Sequence, residues 1–239
     1  MFSAISGIAG TQPFNDWFVP DTTQRHMLGI RVAAVDPFWG AGTFMYIKSN
    51  DTLLKGSLVA WDEVYNGVLL PSAVTQGFPW GVAMAPMIAG VYGWIQLEGR
   101  AVYKTNATVA ADGVVAVAAA GILGATATGK QLIGVRNRIS ATGTKTVALT
   151  QTTNGSAVLF CPIGYDGIFL GMALSGTGIP ASTVAAALDP DGKRIYTGSA
   201  IATTGDKNST ATGSITLTGT YTGYGSGMIN NPGCMQIVA

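Results

Sequence analysis

The chain has 239 residues, and its 13 Lys and Arg against 12 Asp and Glu give a formal net charge of +1. Hydrophobic residues make up 48% of the sequence but charged residues only 10%, less than half of the roughly 25% found in a typical soluble domain. This composition argues against a nucleic-acid-binding protein, which needs clustered basic charge, and against a disordered chain, which needs low hydrophobicity. The length is sufficient for one large domain or two small ones.

Residues 1–40 differ from the rest of the chain. They contain isolated aromatic residues among prolines and glycines and follow no steady hydrophobic period. We expect an irregular segment that either caps the core or forms an arm that lies on a partner. The first basic residue is Arg25, and we therefore expect no secretory signal.

From residue 41 onward, apolar and polar residues alternate, which is typical of strands with one buried face. The clearest example is Trp94–Lys104, in which Ile95, Leu97, Gly99, Ala101 and Tyr103 fall on one face and Gln96, Glu98, Arg100 and Lys104 on the other. Further strands are predicted at Thr43–Lys48, Leu58–Trp61, Gln131–Ile139, Thr146–Thr150 and Ser214–Thr218. Asx-Gly pairs such as Asn66-Gly67 predict tight hairpin turns between them. The pattern predicts an all-β fold with a β-barrel or sandwich core.

The composition changes near residue 143, where Thr, Ser, Gly and Asn become dense. We therefore predict an N-terminal arm or cap (1–40), a β core (41–142), a second, outer β-rich module (143–222) and a C-terminal tail that returns to the core (223–239). Cys161 lies in an apolar run, where a small buried thiol is expected more than a disulfide with Cys234.

Two long uncharged stretches are interpreted as buried strands rather than membrane spans. Prolines interrupt Val64–Leu97, and Gly113–Gly129 is shorter than the roughly 20 apolar residues that a spanning helix needs. We expect no membrane partner.

Two glycine motifs match nucleotide-binding loops without the required context. Gly124–Lys130 fits the phosphate-binding pattern G-x-x-x-x-G-K, but Gln131 replaces the Ser or Thr that holds Mg²⁺, and a strand rather than a helix is predicted to follow. Gly176–Ala181 fits the dinucleotide pattern G-x-G-x-x-A, but Pro180 favours a turn. We predict no bound nucleotide and no other cofactor.

The titratable residues do not suggest an assembled catalytic or metal site. His26 is the only histidine, so a Ser-His-Asp triad or a zinc site would have to include it. Carboxylates such as Glu63 and Glu98 show no clustering that indicates a glycosidase pair. We predict that the protein is not an enzyme. A β-sandwich hydrolase stays a minor alternative, which requires His26 or a carboxylate pair to lie in a cleft.

Two stretches resemble proteins of tailed-bacteriophage virions. The first, Arg25–Ile139, includes Gly40–Lys48, Lys55–Val59, Gly81–Met84 and Ile88–Gly99, and it resembles the capsid decoration (cement) proteins. Its most specific element is Ala-Gly-x-Tyr-Gly-Trp-Ile-Gln at residues 89–96. The second, within residues 171–218, is similar to a β-module that recurs in phage structural and adhesion proteins.

The resemblance implies a structural protein on the capsid exterior, made in the host cytoplasm, that cements neighbouring subunits of the major capsid protein. It also implies a homotrimer without cofactor or nucleic acid. In this interpretation residues 1–40 extend over the capsid, and their large aromatic side chains are the anchors: Phe14, Trp17, Phe18, Phe38 and Trp39. The alternative is a head-fibre or tail-associated adhesin whose residues 143–222 bind host surface glycans.

Overall fold

The computed structural model describes residues 3–4, 19–36, 40–72, 79–106, 109–125, 131–149, 154–162, 164–165, 167–169, 171–188, 193–199 and 207–230. These residues form strands and turns, and none of them is helical. The predicted all-β fold is confirmed. Within this part of the chain, no helix is long and apolar enough to cross a membrane.

The chain divides into two compact units. The core unit comprises Phe2–Ala141 and Gly223–Ala239, and the module comprises Met1 and Thr142–Thr222. In chain order, the strands are β1 (Ser3–Ala4), β2 (Arg31–Asp36), β3 (Gly40–Ser49), β4 (Leu58–Trp61), β5 (Asn66–Leu69), β6 (Trp80–Ala83), β7 (Tyr92–Lys104), β8 (Val114–Ala119), β9 (Ile122–Ala125), β10 (Gln131–Arg136), β11 (Thr142–Leu149), β12 (Val158–Phe160), β13 (Ala173–Ser175), β14 (Thr183–Leu188), β15 (Arg194–Ser199), β16 (Ile215–Thr222) and β17 (Tyr224–Asn230).

A closed ring of five strands, a small barrel, organises the core unit. The strand order is β3-β5-β4-β6-β7, and β7 pairs back onto β3. The sheet continues from β3 into β2 and β1, and from β7 into β17. Alternate side chains of the ring strands form one apolar cluster, since successive residues of a strand face opposite sides. Its members are Met45, Ile47, Val59, Trp61, Ala83, Ile95 and Leu97 of the ring strands, together with Leu53 and Met87, which form an isolated bridge.

The predicted strand at Trp94–Lys104 is confirmed as part of β7, which pairs with β3, β6 and β17. Gly99 has a φ of 100°, and a side chain there would lie 2.3 Å from the carbonyl oxygen of Ala41, so the position requires glycine. Gln96 was predicted to face solvent, and this is wrong. It is buried because its amide donates to the carbonyl oxygens of Glu98 and Arg100, each 3.1 Å away.

The Asn66-Gly67 pair does not form the predicted hairpin turn, because Asn66 begins β5. The turn lies earlier, at residues 62–65, where the N–H of Tyr65 donates to the carbonyl oxygen of Asp62 at 3.1 Å. The Asp62 side chain holds this turn by accepting from the backbone N–H groups of Val64 and Asn66. An Asp that binds the backbone after it is a turn former in its own right.

A second apolar cluster joins β4, β6 and the later part of β7 to β17 and the three-stranded sheet β10-β8-β9. Asn137 is a fully buried polar residue beside it. Its amide donates to the carbonyl oxygens of Ala110 and Ile139, and its Oδ1 accepts from the Tyr103 hydroxyl and the Ser226 N–H. These bonds satisfy a polar group whose burial would otherwise be costly.

The module contains one six-stranded sheet, in the order β11-β16-β13-β14-β15-β12. Strands β11 and β16 pair over eight residues, and three pairs of threonines lie directly opposite each other: Thr142 and Thr222, Thr144 and Thr220, and Thr146 and Thr218. The sequence pattern predicted parts of both strands, and these are confirmed.

Candidate functional site

The five predicted anchor residues, Phe14, Trp17, Phe18, Phe38 and Trp39, lie outside the described residues, as does Cys234. Their role stays a prediction. Residues 19–36 of the same predicted segment are described, and Arg31–Asp36 pair with Gly40–Met45, the first six residues of β3. This part of the N-terminal segment is therefore a strand of the core-unit sheet, because Val32 and Ala34 supply alternate buried side chains.

A hydrogen-bond cluster attaches residues 21–26 to the ring. Asp21 and Tyr92 exchange backbone hydrogen bonds of 2.8 and 2.9 Å. The Tyr46 hydroxyl donates to Asp21 Oδ2 at 2.6 Å and accepts from the Arg25 N–H at 3.4 Å, while Arg25 Nε lies 3.0 Å from Asp21 Oδ1. Burial, together with the bond to Asp21, raises the pKa of Tyr46. The Asp21 side chain is only 7% exposed, and each of its two carboxylate oxygens has a partner.

His26 lies among aromatic rings next to this cluster. Its ring centroid is 4.9 Å from that of Tyr46, in an edge-on arrangement, and 5.3 Å from that of Trp94. The side chain is buried, at 8% exposure. The hydrolase alternative requires either His26 or a carboxylate pair in a cleft, and the His26 ring instead packs against Tyr46 and Trp94.

The described residues of both glycine motifs lie in strands and turns. Gly124 belongs to β9, and β10 begins at Gln131, so a strand follows the first motif as predicted. In the second motif, Gly178 has a φ of 76° and approaches Ala211 so closely that a side chain would lie 2.4 Å from its backbone nitrogen. Strand β14 begins at Thr183. The predicted turn is confirmed, and neither motif opens a helix that could face a phosphate.

Two lysines of the core unit lie in partly buried positions near one turn. Burial lowers the pKa of Lys55 to about 7, and it also lowers the pKa of Lys104. The Lys104 N–H donates to the carbonyl oxygen of Gly56 at 2.7 Å, and its ammonium lies 5.5 Å from the ring centroid of Tyr224.

Among the described residues, no group of three His, Cys, Asp or Glu residues could hold a metal ion.

Three turns of the core unit form a surface that sequence reasoning missed. We call residues 27–30, 62–65 and 88–91 the three-turn surface. Each turn is closed by its own backbone hydrogen bond and is bonded to residues 46–49 at the end of β3. Each also exposes one apolar side chain: Met27 (72%), Val64 (63%) and Ile88 (64%). Turns favour Gly, Pro, Asn, Asp and Ser, so exposed apolar residues at all three are the signal that could have been noticed.

We compared the chain with protein families, with curated proteins and with solved structures, and none of the three comparisons finds a match. The resemblance to decoration proteins therefore stays a prediction from the sequence pattern.

Proposed function

We propose that this chain is a structural virion protein that binds the outer surface of a tailed-phage capsid and cements neighbouring subunits of the major capsid protein. The observation that supports this proposal most is the position of the resembling residues. Residues 89–96, the most specific element of the resemblance, form the turn before β7 and the first part of that strand. β7 closes the five-stranded ring by pairing with both β6 and β3. The residues that resemble decoration proteins most specifically therefore belong to the strand that completes the barrel.

The construction of the core unit suits adhesion rather than chemistry. A protein that cements others acts by burying surface, and it needs a rigid body that does not rearrange when it binds. The closed ring supplies such a body. The apolar side chains of Met27, Val64 and Ile88 are exposed, and covering them with a partner is favourable because it removes apolar surface from water. A homotrimer and the major capsid protein as partner are parts of this proposal.

The residues before Asp21 have a defined role in the proposal. They reach over a neighbouring capsid subunit, with Phe14, Trp17 and Phe18 as the anchoring residues. The other two predicted anchors, Phe38 and Trp39, follow β2 in the sequence and would contact the capsid from the core unit itself. Asp21 would be the root of this arm, because its backbone and side chain are both bonded to the ring.

Quantitative mass spectrometry of phage particles purified from the source of the sequence tests the proposal. We expect a ratio near one copy of this chain for each copy of the major capsid protein. Absence of the chain from the particles would contradict a virion role altogether.

A second candidate function, a head-fibre or tail-associated adhesin that binds host glycans, is favoured by one feature of the module. Tyr196 on β15 is 37% exposed and lies opposite Val158, while Arg194 lies opposite Phe160, so these four side chains share one face. An exposed aromatic ring beside a guanidinium offers both an apolar face and hydrogen-bond donors to a sugar. Only a few copies of the chain in each particle would favour this function over cementing.

A further inference from the structure

The two edge strands of the module sheet, β12 and β11, differ in how their outward backbone groups are used. At β12, the Thr197 N–H donates to the Ala157 carbonyl oxygen at 2.8 Å, so the backbone groups of the next residue, Val158, point away from β15. The Val158 N–H donates to Ser156 Oγ at 2.9 Å, and the Ser156 hydroxyl donates to the Val158 carbonyl oxygen at 3.2 Å. The Ser156 side chain therefore occupies the groups that a further strand would need, and it protects this edge.

Strand β11, at the opposite edge, is open. It pairs with β16, and one position beyond this pairing the Gly223 N–H donates to the Ala141 carbonyl oxygen at 2.8 Å. Opposed residues of antiparallel strands alternate between pairs with and without hydrogen bonds, so the backbone groups of Thr144, Thr146 and Ala148 point away from β16. None of the described strands pairs with β11 on that side, and these three residues are exposed. A row of outward N–H and C=O groups is a template for another strand.

The only charged residue of β11 does not block this edge. Lys145 is the neighbour of Thr146 and therefore faces the opposite side of the sheet. A side chain added at Gly167 would lie 2.9–3.1 Å from the aliphatic carbons of Lys145, so the stem of this lysine lies along that glycine. The lysine is thus packed on its own module, and the open edge itself consists of threonine and alanine.

A single open edge in the module sheet favours a second copy of the same chain as the partner. A head-to-tail contact between modules needs two different open edges, and Ser156 blocks β12. A two-fold contact instead uses the same edge of both copies and closes after two of them. β11 meets this requirement because its outward residues are uncharged and match one another in size.

Charge selects one register for two antiparallel β11 strands. A two-fold axis at Thr146 places this residue opposite itself, with Thr144 opposite Ala148 and Lys145 opposite Val147 of the second copy. An axis at Lys145 would place two like charges directly opposite each other, which is unfavourable. An axis at Thr144 would pair a shorter part of the strand. The register with Thr146 on the axis is therefore the best match.

We infer that β11 is a self-association edge, through which the modules of two copies pair as antiparallel strands around a two-fold axis at Thr146. Roughly six backbone hydrogen bonds form across such a contact. It also repeats the pairing of threonine with threonine that β11 already makes with β16. The contact goes beyond the proposed function and does not depend on it. In the predicted homotrimer, it would join copies that belong to different trimers.

Disulfide cross-linking of the full-length protein tests the register. Thr146→Cys is made in a Cys234→Ser background, which leaves the buried Cys161 as the only other cysteine. The Cα atoms of a hydrogen-bonded pair lie about 5.5 Å apart, within reach of a disulfide, so mild oxidation should convert most of this variant into a covalent dimer. Thr144→Cys in the same background is the matched control. Its symmetry mate lies roughly 13 Å away along the strand, so it should give at most about a tenth as much dimer.

Sedimentation velocity over a range of concentrations measures the association itself. Thr146→Pro removes an outward N–H from each copy and no hydrogen bond within the module, so we expect association to weaken at least about tenfold. Thr146→Val keeps this N–H and a β-branched side chain, and it should associate within about twofold of the wild type. Thermal unfolding of both variants checks that the module stays folded.

Three results would overturn the inference: equal dimer yields from the two cysteine variants, a wild type that does not self-associate, or unchanged association of Thr146→Pro. If Thr146→Pro does not fold, the comparison of the two cysteine variants alone decides the outcome. The copy number of the chain in phage particles tests the proposed function separately, so the two can fail independently.

Discussion

The core unit and the module are both built from strands and turns in their described parts, yet different side chains stabilise them. All five tryptophans precede residue 95, and Trp61, Trp80 and Trp94 are buried in the core unit together with Tyr46 and Tyr103. In the module, the longest strand pair sets threonine opposite threonine at three positions on its more exposed face, and it buries smaller apolar side chains such as Leu149 and Leu217 on the other. Strand pattern alone therefore does not say how strongly a β unit depends on any one side chain. Substitutions in the two units should therefore change the free energy of unfolding by clearly different amounts.

The largest effect is expected for Trp94→Ala. The Trp94 ring is 3% exposed and lies 5.2 Å from the Tyr46 ring, so its loss leaves a large cavity beside β3. We expect the free energy of unfolding to fall by about 3–5 kcal/mol. Denaturant titration followed by tryptophan fluorescence measures this for the core unit alone, since the module contains no tryptophan. A loss below about 1 kcal/mol would show that the packing around Trp94 is less important than we argue.

The next largest effect is expected for Tyr46→Phe. This change removes the donor to Asp21 Oδ2 and leaves a buried carboxylate oxygen without that hydrogen bond. We expect a loss of about 2 kcal/mol, because hydrogen bonds to charged groups contribute more than neutral ones. Tyr92→Phe is the control, since this partly buried ring stacks on Tyr46 at 6.3 Å. Equal losses for the two variants would contradict the role of the Asp21 bond.

A smaller effect concerns pH. Burial lowers the pKa of Lys55 to about 7 from its ordinary 10.5, so between these values the unfolded chain binds a proton that the folded chain does not. The free energy of unfolding should therefore rise as the pH increases from 7 to 10, by on the order of 1 kcal/mol for a partly buried amine. The same fluorescence titration at several pH values measures the slope. Lys55→Met should flatten it, and an unchanged slope would exclude Lys55 as its source.

The smallest effect is expected in the module, for Thr144→Ala. A cross-strand pair contributes about 0.2–1 kcal/mol, so we expect a loss of about 0.5 kcal/mol. Amide hydrogen exchange in β11 and β16 should accelerate about twofold while the tryptophan-detected unfolding of the core unit stays unchanged. If Thr144→Ala lowered the free energy of unfolding as much as Tyr46→Phe, the threonine pairs would be as important to the module as the buried Tyr46–Asp21 bond is to the core unit. That result would remove the contrast between the units.

Alternation along the sequence predicted β3, β4, β7, β10, β11 and β16 in whole or in part, but it missed the other strands and the partners of all of them. It gave β7 and its buried face from Ile95 to Tyr103, because the period of a strand is local. It misassigned Gln96, whose amide donates to the carbonyl oxygens of Glu98 and Arg100 next to the register shift between β7 and β3 at Gln96–Glu98. Pairings between distant residues, such as Asp21 with Tyr46, leave no local pattern.

The candidate site was harder to predict than the fold for the same reason. The three-turn surface joins segments from three parts of the chain, and only the closure of the ring brings Met27, Val64 and Ile88 to the end of one strand. The predicted anchors, in contrast, were chosen because large aromatic residues are conspicuous in an irregular segment. Sequence reasoning finds residues that are unusual by themselves and misses those that matter only together.

A cryo-electron microscopy reconstruction of the source phage particle tests the central claim most directly. The account predicts density for the five-stranded ring on the outer surface of the shell, repeated at equivalent positions over the capsid proteins. A shell whose outer surface carries no such density, or density confined to the tail, would contradict it.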